Sequence, residues 1–266
     1  MEGWMNEKFS KRLKGKALEL GADVVGIAGP QGFGEAPEGH KPWDILPGAQ
    51  YAVSIGFAQP NTILEKAMPT QYTRNIFTVA ARADHVANSL ALWIEAQGYE
   101  AIPISARFMY MDAIVGVFRG DLSHKHTAVL AGLGEIGHNT LLINPIFGNR
   151  LMLSSVVTNA LLVPDKPFSK KLCLREDCLK CAQVCPVRAI GPTGFIEKLK
   201  CARYYRGHEN IFFETWGLYN CRECRRVCPA GKTQRSKKGG DENKTGSCMG
   251  KRGDKEGRKN SVSRPK

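Results

Sequence analysis

Eight of the nine cysteines in the 266-residue chain fall into two sets of four. The first runs Cys173, Cys178, Cys181 and Cys185, with Pro186 directly after it. The second is Cys201, Cys221, Cys224 and Cys228, followed by Pro229. Short gaps let several thiolates reach one inorganic centre, and the proline turns the chain away from it. In the bacterial two-cluster pattern, C-x2-C-x2-C-x3-C-P, the last cysteine of each block serves the other cluster. On that pattern Cys173, Cys178, Cys181 and Cys228 share one 4Fe–4S cluster. Cys185, Cys201, Cys221 and Cys224 share the second. The first gap is four residues rather than two, as in plant-type 2Fe–2S ferredoxins, but both blocks close on Cys-Pro. A zinc ribbon of Cys178, Cys181, Cys221 and Cys224 would leave the other four unexplained. Cys248 has no partner spacing and reads as a bystander.

A second constellation lies upstream. Gly132-Leu133-Gly134-Glu135-Ile136-Gly137 fits G-x-G-x-x-G, the dinucleotide fingerprint. Its context is wrong: a predicted helix precedes it rather than a strand, and Val156 to Asn159 stand where the ribose-binding acid belongs. The glycines read instead as a turn packed against a cofactor or another helix. Asp121, His124 and His126 come shortly before. Solvated surface residues are the commoner fate of such a group, yet titratable side chains beside a cofactor are candidate proton donors.

These residues need a scaffold, and the chain has apolar material for one, at 42% hydrophobic. Spacing predicts helices over 6–22, 73–97 and 123–131, with Gly98 closing the second. Strands are predicted over 24–28, 51–57, 101–104 and 151–158, and a long Gly/Pro-rich loop over 29–48. Helices and strands mixed in this way predict an α/β or α+β domain. Three segments follow: 1–164, a cysteine-punctuated 165–231, and a polar tail, 232–266, too poor in apolar groups to offset its ordering entropy.

The net charge of +13 resides mainly in that tail. From Ala230 onward 12 Lys/Arg and 4 Asp/Glu leave +8, and the preceding 229 residues carry +5. Two oxidised clusters with their thiolates would add roughly −4. The tail could thus make weak, salt-sensitive contacts with RNA. No apolar run approaches the ~18 residues of a membrane span, and the polar start lacks a signal peptide. A cytoplasmic protein is expected, where nine cysteines point to metal or redox chemistry rather than disulfides.

The stretch from Ala131 to Ile143 (AGLGEIGHNTLLI), joined to two cysteine blocks, resembles the epoxyqueuosine reductase family, which shares its cobalamin-binding core with reductive dehalogenases. Ala17 to Ala28 (ALELGADVVGIA) and Leu46 to Ala49 (LPGA) also read like that family's opening elements, so the resemblance covers roughly residues 8–229. It implies a nitroreductase-like cofactor domain followed by a small bacterial ferredoxin-like two-cluster domain. Electrons would come from a donor such as ferredoxin or flavodoxin, cross the clusters and reach a corrinoid that reduces an organic substrate. Gly132, Gly134, Gly137 and Asn139 would then line the cofactor. The family's proton-donating aspartate falls by spacing near Phe118, which leaves Asp121 as the nearest acid. Bacterial members continue into a further tRNA-binding helical domain, where this sequence has its tail, so a paralogue with another substrate is also expected. A flavin in place of the corrinoid, or a non-catalytic electron carrier for a partner protein, are the alternatives.

Overall fold

The computed structural model describes residues 2–107, 110–112, 117–206 and 221–232. Its first elements are α1 (Glu2–Glu19), β1 (Val24–Ala28), α2 (Pro42–Ile45), β2 (Tyr51–Ala58), α3 (Asn61–Lys66) and α4 (Pro69–Glu95). There follow β3 (Ala101–Ile104), the paired β4 (Tyr110–Asp112) and β5 (Val117–Arg119), and α5 (His124–Leu130). A second short pair, β6 (Glu135–Ile136) and β7 (Leu142–Ile143), precedes β8 (Leu151–Thr158). The cysteine region carries α6 (Lys180–Gln183), α7 (Lys198–Arg206) and α8 (Glu223–Arg226).

Four strands form an antiparallel sheet in the order β1-β2-β8-β3, with Gly26 opposite Ser54 and Ser54 opposite Ser155. Side chains alternate across the pleat. Val53, Ile55, Phe57 and Val156 pack with Leu13 of α1 and Val86, Leu90 and Ile94 of α4. Ala52, Leu151, Leu153 and Val157 pack on the other side with Ala128 and Ala131 at α5. Burial of each large side chain contributes roughly 1.5–3 kcal/mol. Because helices cover both faces, β2 and β8 are buried almost throughout, which explains their nearly continuous apolar sequences. Pro103 sits in the edge strand β3, where its missing N–H disrupts no interior ladder. The architecture is mixed α/β, as predicted.

Boundaries moved where local chemistry outvoted periodicity. α4 begins at Pro69, whose fixed φ suits a first helical turn, and Gln71 Oε1 accepts the Met68 N–H at 3.1 Å. It ends as expected, with Gly98 at φ +88° donating to Glu95 O at 2.8 Å. The predicted loop over 29–48 contains α2 and a 3-10 turn at Pro30–Phe33. Neither α3 nor the two small strand pairs were predicted, being too short to show a period. Among the described residues no helix is long and apolar enough to cross a membrane. Cys248 and nearly all of the basic tail lie outside the described residues.

Candidate metal centre

None of the eight cysteines is in a disulfide, and all are partly buried. Cys181 sits in α6 and Cys224 in α8, and each is followed by Val-Cys-Pro three residues on. Burial, then the neighbouring Cys173 and Cys228, push the Cys181 thiol up to about 11, against a hydrogen bond from the Ala182 amide. Burial, then Cys221 and Cys185, raise Cys201. Cys221 is raised first by burial, with Glu223 and Cys185 adding to it. Cys224 is pushed up to about 12 by burial, with Cys221, Cys201 and Cys181 opposing the pull of Arg225. These thiols therefore feel one another's charge, and each thiolate makes the next harder to form. Iron or another cation would remove that penalty by binding the deprotonated sulfurs. Among the described residues no three His, Cys, Asp or Glu side chains are arranged to hold a single metal ion.

The glycine-rich segment is where the cysteine region is fastened. β6 and β7 pair with Glu135 opposite Ile143, and the turn between them closes through Gly137 N–H to Leu141 O at 2.9 Å. Glu135 then reaches out. Its Oε2 accepts the Leu172 and Cys173 amides at 2.6 and 3.0 Å, and its Oε1 accepts Arg175 Nη2 at 2.9 Å. Burial works against its charge, but these donors outweigh burial and hold the carboxyl below its usual value. The His138 amide donates to Cys173 Sγ at 3.3 Å, and the His138 ring donates through Nε2 to Gly191 O at 2.9 Å. Asn139 Nδ2 donates to Cys224 O at 3.1 Å, and Asn149 Nδ2 to Arg225 O at 3.1 Å. Arg222 fastens the second block at another point. Its Nε donates to Leu64 O at 2.7 Å, it also donates to Ala67 O, and it lies over the Tyr72 ring at 5.1 Å.

This placement gives the glycines a different physical reason from the one expected. A Cβ on Gly134 would lie 2.2 Å from Ile143 O, and one on Gly137 would lie 2.6 Å from Ile143 Cδ1. A Cβ on Gly132 would meet Lys166 O at 2.7 Å, and Gly132 has φ +75°. Each glycine makes room for protein, and the neighbour is strand β7 or the 165–166 segment rather than another helix. Asn139, expected at a cofactor, bonds the Cys224 carbonyl.

The three candidate proton donors have different surroundings. His124 is partly buried against the sheet. Its Nε2 donates to Ser105 O at 2.9 Å, so Nδ1 accepts from Ser155 Oγ at 2.9 Å. Burial holds its pKa below the imidazole norm, against the Ser105 bond and the charges of Asp84 and Asp121. His126 is exposed, bonded to Ser123 Oγ at 2.6 Å, and its pKa is lowered by partial burial, Lys125 and Lys198. Asp121 is exposed, and its backbone carbonyl accepts His40 Nδ1–H at 3.1 Å.

Comparison with known proteins bears on this arrangement. No family model matches the chain. An epoxyqueuosine reductase of Lactococcus garvieae is 28% identical over 195 residues, covering 70% of this chain and 53% of that protein. A tetrachloroethene reductive dehalogenase of Desulfitobacterium hafniense is 37% identical over 123 residues, covering 40% of this chain and 22% of its own length. The chain is a relative of the epoxyqueuosine reductases and reductive dehalogenases. It spans about half the length of the first epoxyqueuosine reductases it matches. The fold agrees: a crystal structure of epoxyqueuosine reductase superposes with a TM-score of 0.58 at 20% identity, covering 85% of this chain and 66% of that one. The catabolic reductive dehalogenase NpRdhA gives 0.65 at 22% identity, over 85% and 32%.

In this epoxyqueuosine reductase-like chain, sequence reasoning missed the fastening residues Glu135, His138, Asn149 and Arg222. Two of them carried a signal. Glu135 is an acid inside a glycine turn, and Arg222 stands between two cysteines, so each needed a partner that a one-dimensional reading could not supply.

Proposed function

We propose that the chain is an iron–sulfur oxidoreductase with two 4Fe–4S clusters, built as a nitroreductase-like cofactor domain (1–164) and a ferredoxin-like cluster domain (165–231). The observation that carries this reading is the thiol set. The eight cysteines are partly buried, and the thiols of Cys181, Cys201, Cys221 and Cys224 are raised first by burial and then by neighbouring cysteines: Cys173 and Cys228 act on Cys181, Cys185 on Cys201 and Cys221, and Cys181 also on Cys224. The crossover partition expected from spacing is the assignment proposed for these ligands, with Cys178 completing the first four. A tetrahedral zinc ion draws thiolates to ~2.3 Å from one point. Eight cysteines in two sets of four suit two polynuclear centres better than a single zinc ion. The donor set therefore fits the clusters, which when bound would pass single electrons. The chain's own residues orient the ligands: Glu135 fixes the Cys173 backbone, His138 N–H and Ala189 N–H donate to Cys173 and Cys185 sulfur, and Arg222 anchors the second block. Such N–H···S bonds stabilise the thiolate form.

The electron acceptor is proposed from kinship. One similar structure is a reductive dehalogenase described as suggesting a mechanism for B12-dependent dehalogenation, and another is an epoxyqueuosine reductase with a modified tRNA stem loop. A corrinoid that reduces an organic substrate is the corresponding assignment here, in a cytoplasmic setting, with a ferredoxin or flavodoxin as donor and RNA as a contact of the basic tail. The glycine turn does not fit a corrinoid ring, because protein fills the space beside Gly132, Gly134 and Gly137, so no step is assigned through one. Anaerobic titration of the iron-loaded protein with cobalamin, followed by ultraviolet–visible absorption, tests the assignment. Saturable binding is expected. Absence of binding, or a bound flavin in its place, would overturn it.

A further inference from the structure

We propose that the outer face of α7 is the docking surface for an acidic electron-carrier protein. The proposal rests on the iron–sulfur reading, because a cluster must be reduced from outside. α7 carries Cys201, whose thiol is partly buried toward Cys221 and Cys185. Lys200, Arg203 and Tyr204 of the same helix are exposed, and with Val187, Glu197 and Leu199 they line an open groove of about 540 Å³. Apolar Val187 and Leu199, an aromatic wall and a cationic rim are the composition of a small protein interface rather than of a metabolite pocket.

Charge selects the occupant. Glu197 is the acid in the groove lining, and its 3.5 Å contact with Lys200 is solvent-exposed and contributes little. Lys198 opens the helix, and Lys125 and His126 of α5 are disfavoured as cations first by burial and then by neighbouring lysines, Lys198 among them. Positive groups are therefore gathered here against their mutual repulsion, which an acidic surface would relieve. Phe195, three residues before α7, is 70% exposed and offers an apolar contact beside the charges. A polyanion such as RNA would meet the same cations. Their position on the helix that carries a cluster ligand favours the redox partner, since electron transfer needs a short path from carrier to cluster. Redox encounters of this kind are small, fast and salt-sensitive.

The test is stopped-flow reduction of the reconstituted full-length protein by a purified acidic ferredoxin. One electron leaves the reduced ferredoxin and reduces one cluster, and no bond or proton changes. Three proteins are compared: wild type, Lys200→Glu/Arg203→Glu, and Lys11→Glu/Arg12→Glu on α1, which changes the net charge equally. At low salt the α7 variant should react about tenfold more slowly, and the α1 variant within about twofold of wild type. If the α7 pair fails to retain iron, the single change Lys198→Glu replaces it with the same direction of effect. Equal rates in wild type and the α7 variant, or equal slowing in both variants, would overturn the proposal. So would an α7 variant that loses tRNA affinity while its reduction by ferredoxin is unchanged, because the face would then belong to RNA. A wild type without iron is the distinct failure of the underlying reading.

Discussion

Replacing Glu135 by Ala should release the start of the cysteine region from the glycine turn. The side chain is 15% exposed and accepts the Leu172 and Cys173 amides together with Arg175. An orphaned buried amide costs about 1–3 kcal/mol. Because this segment is only partly buried, the lower end applies, or about 2 kcal/mol for the pair. The Arg175 contact is nearly half exposed and adds little. A loss of about 2 kcal/mol raises the open population roughly thirtyfold. Hydrogen exchange at matched iron content reads this directly, at the amides of Leu172 and Cys173. Glu135→Gln, which keeps an acceptor but not the charge, should fall between wild type and Ala. The effect also has a pH sign. The folded carboxyl is held below its usual value, so its contribution is complete above that value and is lost as pH falls through the folded one. Unchanged protection of both amides in Glu135→Ala would refute the clamp.

Gly134→Ala should destabilise the fold whether or not a cofactor is present, since its Cβ would press on Ile143 O; a melt equal to wild type would contradict the β7 contact. His124→Phe strips Ser155 and Ser105 of their partner and should cost about 1–3 kcal/mol in urea unfolding. The same variant should flatten stability between neutral and mildly acidic pH. A neutral buried imidazole contributes stability above its usual pKa, and that contribution is lost as pH falls towards the lowered folded value. Arg222→Met should loosen the second cysteine block by about 2 kcal/mol, seen as faster iron release to a chelator, with no change if the carbonyls of Leu64 and Ala67 do not hold it.

Long elements were legible in the sequence because their packing writes a period into it. The stripe Ile76, Val79, Ala83, Val86, Leu90 and Ile94 marked α4, and the apolar runs at 51–57 and 151–158 marked the two central strands. The cysteine sets were legible because ligand spacing is local. The role of the glycine motif was not. Gly134 is small because of Ile143, nine residues away and folded back by a turn through Thr140 at φ +59°, and periodicity cannot show such a contact. Glu135 and Arg222 escaped for a related reason, as their partners are backbone groups 37 to 158 residues distant. His124 and His126 looked like one functional pair. Two positions apart on a helix, they point to different surroundings, one to the sheet and one to solvent.

Iron and acid-labile sulfide analysis of the anaerobically reconstituted full-length protein tests the central claim most directly. Two four-cysteine sets predict about eight iron and eight sulfide per chain, falling to about four of each when Cys181 and Cys173 are both replaced by Ser. Stoichiometric zinc, or four iron in the unaltered protein, would contradict it.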